Sequence, residues 1–261
     1  MTLAGKCALI TGSTQGLGLV AAEQFAAAGC QVVLNGFASS ETVAAIRTRI
    51  EDRHHVRTLY GGADLRKPEE IARLMTAIAE AFGAVDILIN NAVIRHADAV
   101  EAFPPEQWDD AIAVNLSAAF HTIRLAVPGM KQRNWGRIIN VSSIYGLRGA
   151  ANRVAYVTTK TALIGLTRAV ALETTGHNIT CNAVCPGTTR TPVHQVSLNQ
   201  MMAREGMSEG DAERALLAGK QPTGRLIGPE SVAALMVFLC GPESGHITGA
   251  VLPIDGGWSA A

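Results

Sequence analysis

Neither sign of charge is in excess in this chain. Its 261 residues hold 22 Lys and Arg against 22 Asp and Glu, and charged residues make up only 17% of the total. A nucleic-acid binder needs a basic face to replace phosphate counterions, and a disordered or acidic tail protein needs a charge surplus, so neutrality argues against both. A small molecule or a second copy of the chain is the expected partner. Cysteine is scarce and odd in number: Cys7, Cys30, Cys181, Cys185 and Cys240 are scattered and mostly inside apolar runs, as in reduced packing residues of a cytoplasmic protein. Cys181 and Cys185 have no second pair or nearby histidine to complete a zinc set, so no metal is expected. No run approaches the roughly 18 apolar residues of a membrane span. The first apolar run, in MTLAGKCALITG, is too short for a signal peptide. Lysine is rare too, only Lys6, Lys67, Lys131, Lys160 and Lys220, so a lysine in a special context stands out.

What the chain does hold is 48% apolar residues and 26 glycines, enough for a large core. Short Val/Ile/Leu-rich runs alternate with segments of helical period from end to end. The runs are Cys7 to Ile10, Gln31 to Leu34, Val56 to Tyr60, Val85 to Ile89, Arg137 to Val141, Ile179 to Val184 and Ala250 to Ile254. Helices are expected over Leu17 to Ala28, Glu41 to Arg53, Pro68 to Phe82, Pro105 to Gln132, Val154 to Thr175 and Pro229 to Leu239. This alternation predicts an α/β fold, a doubly wound seven-stranded parallel sheet flanked by helices, in a single domain spanning 1–261. Residues 188–221 break the rhythm and are expected to form a long loop, a lid or substrate-recognition insertion.

The first strand ends in Thr11-Gly12-Ser13-Thr14-Gln15-Gly16-Leu17-Gly18 and runs into an Ala-rich helix. Glycines there allow a tight turn and close approach of a pyrophosphate to a helix N-terminus. The second strand ends in Asn35-Gly36-Phe37, with no acid for a ribose and no Arg or Lys for a 2′-phosphate, so NAD is expected rather than NADP. Asp64 and Leu65 follow the third strand, placed either to bond and flank adenine or, for Asp64, to cap the helix beginning near Pro68. Asn90-Asn91-Ala92-Val93 ends the fourth strand, where asparagines can tie strands together and line a crevice or simply make a turn. Asn115 sits inside a long apolar helix and must find a partner, a bound water being one candidate.

The fifth strand ends in Ser142-Ser143, and thirteen residues after Ser143 comes Tyr156, with Lys160 four further on. At that spacing Tyr156 and Lys160 share a helix face. A lysine there can favour the phenolate, which makes Tyr156 a usable acid/base, while Ser143 holds the substrate oxygen.

Together Thr11-Gly12-xxx-Gly16-x-Gly18, Asn90-Asn91-Ala92, Asn115, Ser143, Tyr156-xxx-Lys160, Pro186-Gly187-xxx-Thr191 and Asp255-Gly256-Gly257 resemble the short-chain dehydrogenase/reductase family over essentially the whole chain. The resemblance implies a Rossmann-type fold, a catalytic tetrad of Asn115, Ser143, Tyr156 and Lys160, and a homotetramer. It places the cofactor against Gly12, Thr14, Gln15, Gly16, Leu17, Gly18, Phe37, Asp64, Leu65, Asn91, Ala92, Tyr156, Lys160, Pro186, Gly187 and Thr191. NGF at 35 to 37, GADL at 62 to 65, NLSAAFH at 115 to 121, ALET at 171 to 174, KQPTGR at 220 to 225 and PIDGGW at 253 to 258 are similar to one branch, the bacterial D-3-hydroxybutyrate dehydrogenases. Those use NAD despite an acid-free NGF segment.

The departures lie around the substrate. Val93 stands where the family motif has glycine, which crowds the nicotinamide side of the crevice. Where the hydroxybutyrate enzymes are expected to carry Gln, His, Lys and Trp, this chain has Arg95, Tyr145, Arg153 and Thr188. With Ser143 and Tyr156 these make the expected substrate pocket, more cationic and roomier than the branch's own. Guanidinium forks suit a carboxylate or sulfonate, unless either arginine is a solvated surface charge. The expected activity is NAD(H)-dependent interconversion of a secondary alcohol and ketone on a small anionic substrate of the 3-hydroxybutyrate/acetoacetate type. The alternatives are a bulkier hydroxy or keto acid, a sulfonate, a 3-oxoacyl thioester, or a nucleotide-binding module without catalysis.

Overall fold

The computed structural model describes residues 3–261. Its frame is a parallel sheet of β1 (Cys7–Ile10), β2 (Gln31–Asn35), β3 (Thr58–Gly61), β4 (Ile87–Asn90), β5 (Gly136–Val141), β6 (Ile179–Pro186) and β7 (Val251–Ile254), in the order β3-β2-β1-β4-β5-β6-β7. The chain winds outward from β1 to β3, then returns to place β4 on the other side of β1. That reversal splays the loops leaving β1 and β4 apart and opens a crevice at the carboxyl ends of the strands. β1, β4, β5 and β6 are buried throughout, because helices cover both faces, and so they read as unbroken apolar runs.

The helices are α1 (Gly16–Ala27), α2 (Ser40–His54), α3 (Pro68–Phe82), α4 (Pro105–Ile112), α5 (Ala118–Gln132), α6 (Val154–Glu173), α7 (Pro192–Glu205), α8 (Glu209–Leu216) and α9 (Pro229–Cys240). Alternate β1 residues feed opposite layers, as the pleat requires. Ala8 and Ile10 pack with Ala22 and Phe25 of α1, Ile46 and Ile50 of α2, and Met236 and Leu239 of α9. Cys7 and Leu9 pack with Leu74 and Ile78 of α3, Ile123 and Met130 of α5, and Val170 of α6.

Two expectations change. Residues 188–221 contain helices α7 and α8 rather than a continuous loop. Thr191 and Ser208 cap them by accepting from the His194 and Asp211 N–H groups, and Gly206, at φ 68°, ends α7 in the left-handed region. The pair has its own small core around Leu198, Ala212, Leu217 and Leu226, and Arg190 holds both Glu209 and Glu213. Short helices with mostly polar faces give a weak apolar period, which hid them. Second, the helical run Pro105–Gln132 is by length and composition apolar enough to cross a membrane, against the expectation that no segment would be. Here it lies on the sheet, with Ala118, Ala119, Ile123, Ala126 and Met130 buried. A π turn over Ala113–Ser117, in which the Ala118 N–H donates to the Ala113 carbonyl, divides it into α4 and α5.

A buried polar chain crosses this apolar layer. The Asn90 amide donates to Asn140 Oδ1 at 2.9 Å, Thr122 Oγ1 donates to Asn90 Oδ1 at 2.8 Å, and Asn140 Nδ2 donates to Thr167 Oγ1 at 2.9 Å. It links β4, β5, α5 and α6, and Asn140 Oδ1 is the acceptor that satisfies the buried Asn90 amide. Asn140→Ala strands the Asn90 amide, so it should lower stability by about 1–3 kcal/mol. Urea unfolding of the variant checks this; an unchanged midpoint would remove the network from the account of stability.

Candidate active site

The crevice is built first from the turn after β1. Thr11 Oγ1 accepts the Asn91 and Ala92 N–H groups at 2.9 and 3.0 Å, and Asn91 Nδ2 donates to the Thr11 and Gly12 carbonyls at 2.9 and 3.1 Å. Asn91 therefore braces the glycine turn from behind. A Cβ on Gly12 (φ 63°) would lie 2.8 Å from Ala92 Cα, and one on Gly18 would lie 2.2 Å from the Gly12 carbonyl oxygen. Gly16 differs, having open space on its outer side. Gln15, at the start of α1, makes no side-chain cap, and the first turn holds no acidic residue, so the positive end of the helix faces the crevice unneutralised. Open space, unsatisfied N–H groups and the helix dipole fit a pyrophosphate.

The tip of β2 is a frame of backbone bonds. Asn35 is buried and donates to the Gly61 and Ala63 carbonyls at 2.9 and 3.1 Å, Tyr60 OH donates to the Gly36 carbonyl at 2.7 Å, and Thr14 Oγ1 donates to the Phe37 carbonyl at 3.4 Å. The Phe37 ring is exposed. Asp64 is not a helix cap: α3 begins after Lys67, which makes no side-chain cap. The Asp64 carboxylate instead takes Nε and Nη2 of Arg66 at 3.0 and 2.8 Å, and those bonds hold its pKa below the usual carboxylate range. Leu65 turns inward against Ile71 and Ala118.

Asn115 sits in the π turn and does not point at solvent. Its Oδ1 accepts the Ile94 N–H at 2.9 Å and its Nδ2 donates to the Ile94 carbonyl at 3.0 Å. It thus pins the β4 exit loop one residue before Arg95. A small cavity of about 10 Å³, the size of one water, borders Asn115, Thr11, Asn90 and Leu65. Val93 is half-buried in the same loop.

The carboxyl end of β5 delivers Ser143, whose Oγ accepts the Tyr145 N–H at 3.2 Å, while Ser142 Oγ donates to the Lys160 carbonyl at 2.7 Å and docks α6. On α6 the Lys160 ammonium lies 5.8 Å from the Tyr156 ring centre and donates to the Val141 carbonyl at 2.6 Å. Tyr145 meets Tyr156 edge-on at 6.3 Å, and Trp258 meets Tyr145 at 5.4 Å. The Arg95 guanidinium stands 5.6 Å from the same Tyr156 ring. Arg153 occupies the residue before α6, half-buried.

Beyond β6, Gly187 has no room for a side chain, because Gln221 Oε1 would lie 2.6 Å from its Cβ; the same oxygen accepts the Thr188 N–H. Thr191 is engaged as the α7 cap. Sequence reasoning missed Trp258, Gln221 and Arg148, whose guanidinium holds the Trp258 and Ala261 carbonyls. Gln221 and Trp258 come from late in the chain, and no spacing signal connects them to Tyr156.

Residues 6–202 match the short chain dehydrogenase family. The chain belongs to that family. It is similar to the D-beta-hydroxybutyrate dehydrogenase of Cupriavidus necator, 45% identical over 258 residues covering 99% of both chains, and to that of Rhizobium meliloti, 42% identical over 98% of this chain and 99% of the relative. The solved structure of L-sorbose reductase from Gluconobacter frateurii, complexed with NADPH and L-sorbose, superposes with a TM-score of 0.92 at 29% identity, over 100% of this chain and 99% of that one. This short-chain dehydrogenase is accordingly an oxidoreductase acting on CH–OH groups, with a nicotinamide cofactor.

Burial, and after it the Arg95 charge, hold Lys160 down to about 7 from an ordinary 10.5. The folded value lies below the unfolded one, so protonation favours the unfolded chain: this group costs stability progressively as pH falls from 10.5 towards 7, and by a constant amount below. Lys160→Met removes that cost, at the pH-independent expense of the bond to Val141. The melting temperature of the variant relative to the parent should rise as pH is lowered through this window and then level off. A difference that ignores pH would contradict the depressed lysine.

Proposed function

We propose that this dehydrogenase uses NAD(H) to interconvert a secondary alcohol and its ketone on a small anionic substrate of the 3-hydroxybutyrate/acetoacetate type. The observation that carries the reading is the approach of Lys160 and Arg95 to the Tyr156 ring, the Arg95 guanidinium having no ion-pair partner among the described residues. The names of the two hydroxybutyrate relatives support the same substrate class.

In the oxidative direction Tyr156, as phenolate, takes the hydroxyl proton, and Ser143 Oγ holds the oxygen as it becomes a carbonyl. Lys160 holds the nicotinamide ribose beside Tyr156, and Asn115 keeps the Arg95 loop in register through Ile94. The turn from Gly12 to Gly18 receives the pyrophosphate, Asp64, Leu65 and Phe37 flank the adenosine end, and Asn91, Ala92, Pro186, Gly187 and Thr191 border the nicotinamide end. The bound nicotinamide supplies the hydride chemistry. NAD is favoured over NADP because residues 36–40 offer no cation for a 2′-phosphate and Arg66 is engaged by Asp64. The L-sorbose reductase neighbour carries NADPH, which makes the cofactor a point to measure.

Arg95 and Arg153, with Tyr145 and Thr188, receive the anionic end. These same four positions favour one second reading, a bulkier hydroxy acid, sulfonate or 3-oxoacyl thioester. The α7–α8 unit, with its separate core, serves as the substrate-recognition insertion. Five buried, unbridged cysteines accord with the reducing cytoplasm, and exposed Phe120, Leu172 and Phe238 accord with burial in a homotetramer.

A panel of hydroxy acids, sulfonates and thioesters, each with NAD and with NADP, tests the reading by absorbance of the reduced nicotinamide. Turnover of 3-hydroxybutyrate with NAD supports it; turnover of only another acid replaces the substrate, and preference for NADP replaces the cofactor. Tyr156→Phe should lower kcat by about 10²–10⁴-fold while NADH still binds. Activity retained in that variant would overturn the mechanism.

A further inference from the structure

Gln221 is a buried amide whose two ends bond to backbone groups from different segments. Its Oε1 accepts the Thr188 N–H, and its Nε2 donates to the Arg225 carbonyl at 2.8 Å. The two segments also bond directly. The Ile227 N–H donates to the Thr188 carbonyl at 3.0 Å and the Arg190 N–H to the Ile227 carbonyl at 2.8 Å, so that Thr189 and Ile227 form a parallel bridge. This short ladder closes the neck of the α7–α8 insertion, and Gln221 extends it to the peptide between Gly187 and Thr188.

That peptide needs holding. Gly187 has no Cβ, so its backbone is intrinsically free, and a larger residue is excluded because a Cβ would lie 2.6 Å from the Gln221 oxygen and 3.0 Å from Asp255 Cα. On one side the Gly187 N–H donates to the Ile254 carbonyl of β7 at 3.0 Å. On the other side, the Gly187 carbonyl and the Thr188 N–H share one planar trans peptide, so fixing the N–H on Gln221 fixes the direction of the carbonyl. Thr189 Oγ1 also donates to that carbonyl at 3.3 Å, but it belongs to the same loop and turns with it.

We propose that Gln221 is a positioning residue for the nicotinamide end of the cofactor, holding the Gly187–Thr188 peptide in the plane that the nicotinamide meets. The inference rests on the placement of Gly187 and Thr191 beside the nicotinamide proposed above. The task requires a tip that accepts from an N–H and donates to a carbonyl at once, which an amide does and neither a carboxylate nor an ammonium does. Being buried, the amide meets the crevice through the peptide it holds. The neck of the substrate insertion and the border of the nicotinamide are thereby one bonded unit.

Calorimetric titration of NADH and of ADP-ribose, which lacks the nicotinamide, tests the role without recourse to turnover. Gln221→Leu leaves the Thr188 N–H without its acceptor; it should weaken NADH by about tenfold or more and leave ADP-ribose within about twofold of the parent. Gln221→Asn, one methylene shorter, stays polar but withdraws the amide from Thr188, and should show the same selective loss should the leucine variant fail to fold. Leu198→Ala loosens the small core of the insertion without touching the neck. It should change the two affinities by one common factor, as a lowered population of the competent fold does. Loss of both ligands by the same factor in the Gln221 variants, or no loss of either, overturns the positioning role. A selective loss of NADH in Leu198→Ala as large as in Gln221→Leu assigns the effect to the insertion as a whole and also overturns it. Failure of the parent itself to bind NADH removes the cofactor reading and the role of Gln221 with it.

Discussion

Thr11 and Asn91 tie the turn after β1 to the exit of β4 through four hydrogen bonds between them and their neighbours, and the rest of the site depends on that clamp. The two strands are adjacent but lie 80 residues apart in the chain, and their outgoing loops diverge to opposite sides. Without the clamp the glycine turn has no back wall, and the open side of Gly16 has no fixed relation to Tyr156. The clamp also explains why this turn excludes side chains at Gly12 and Gly18, since both positions face the backbone atoms it draws together.

Electrostatics in the site follow from what the fold excludes. Helices on both faces of β5 and β6 keep water from Lys160, so its charge is expensive and its pKa is held well below that of an ordinary lysine. Arg95 is exposed and stands 5.6 Å from the centre of the Tyr156 ring. One buried and one exposed basic side chain thus flank a single phenol. The zero net charge of the chain conceals this local excess.

The fold was largely legible in the residues. Apolar runs bounded by Gly and Pro announced the strands, and Pro68 and Pro229 begin helices where first-turn prolines should. Tyr156 and Lys160 were legible because helical spacing puts them on one face. Asp64 was only half legible, since its partner Arg66 is two residues away but its freedom to meet a ligand depends on a rotamer. Asn115 was expected to need a polar partner, with water one candidate, and the backbone of Ile94 supplies one, a contact set by the π turn that no local pattern announces. Helices α7 and α8 were missed for want of an apolar period, although the caps Thr191 and Ser208 stood in the sequence.

The sequence by itself determined the layered α/β architecture, the glycine turn and the tyrosine–lysine pair, because each is a local pattern of period, turn chemistry or helical spacing. Tertiary structure alone decided that Arg95 lies over Tyr156, that Trp258 packs against Tyr145, and that Gln221 fills the space beside Gly187. These contacts join residues tens of positions apart, and chain distance carries no information about which side chains converge when a sheet reverses its winding.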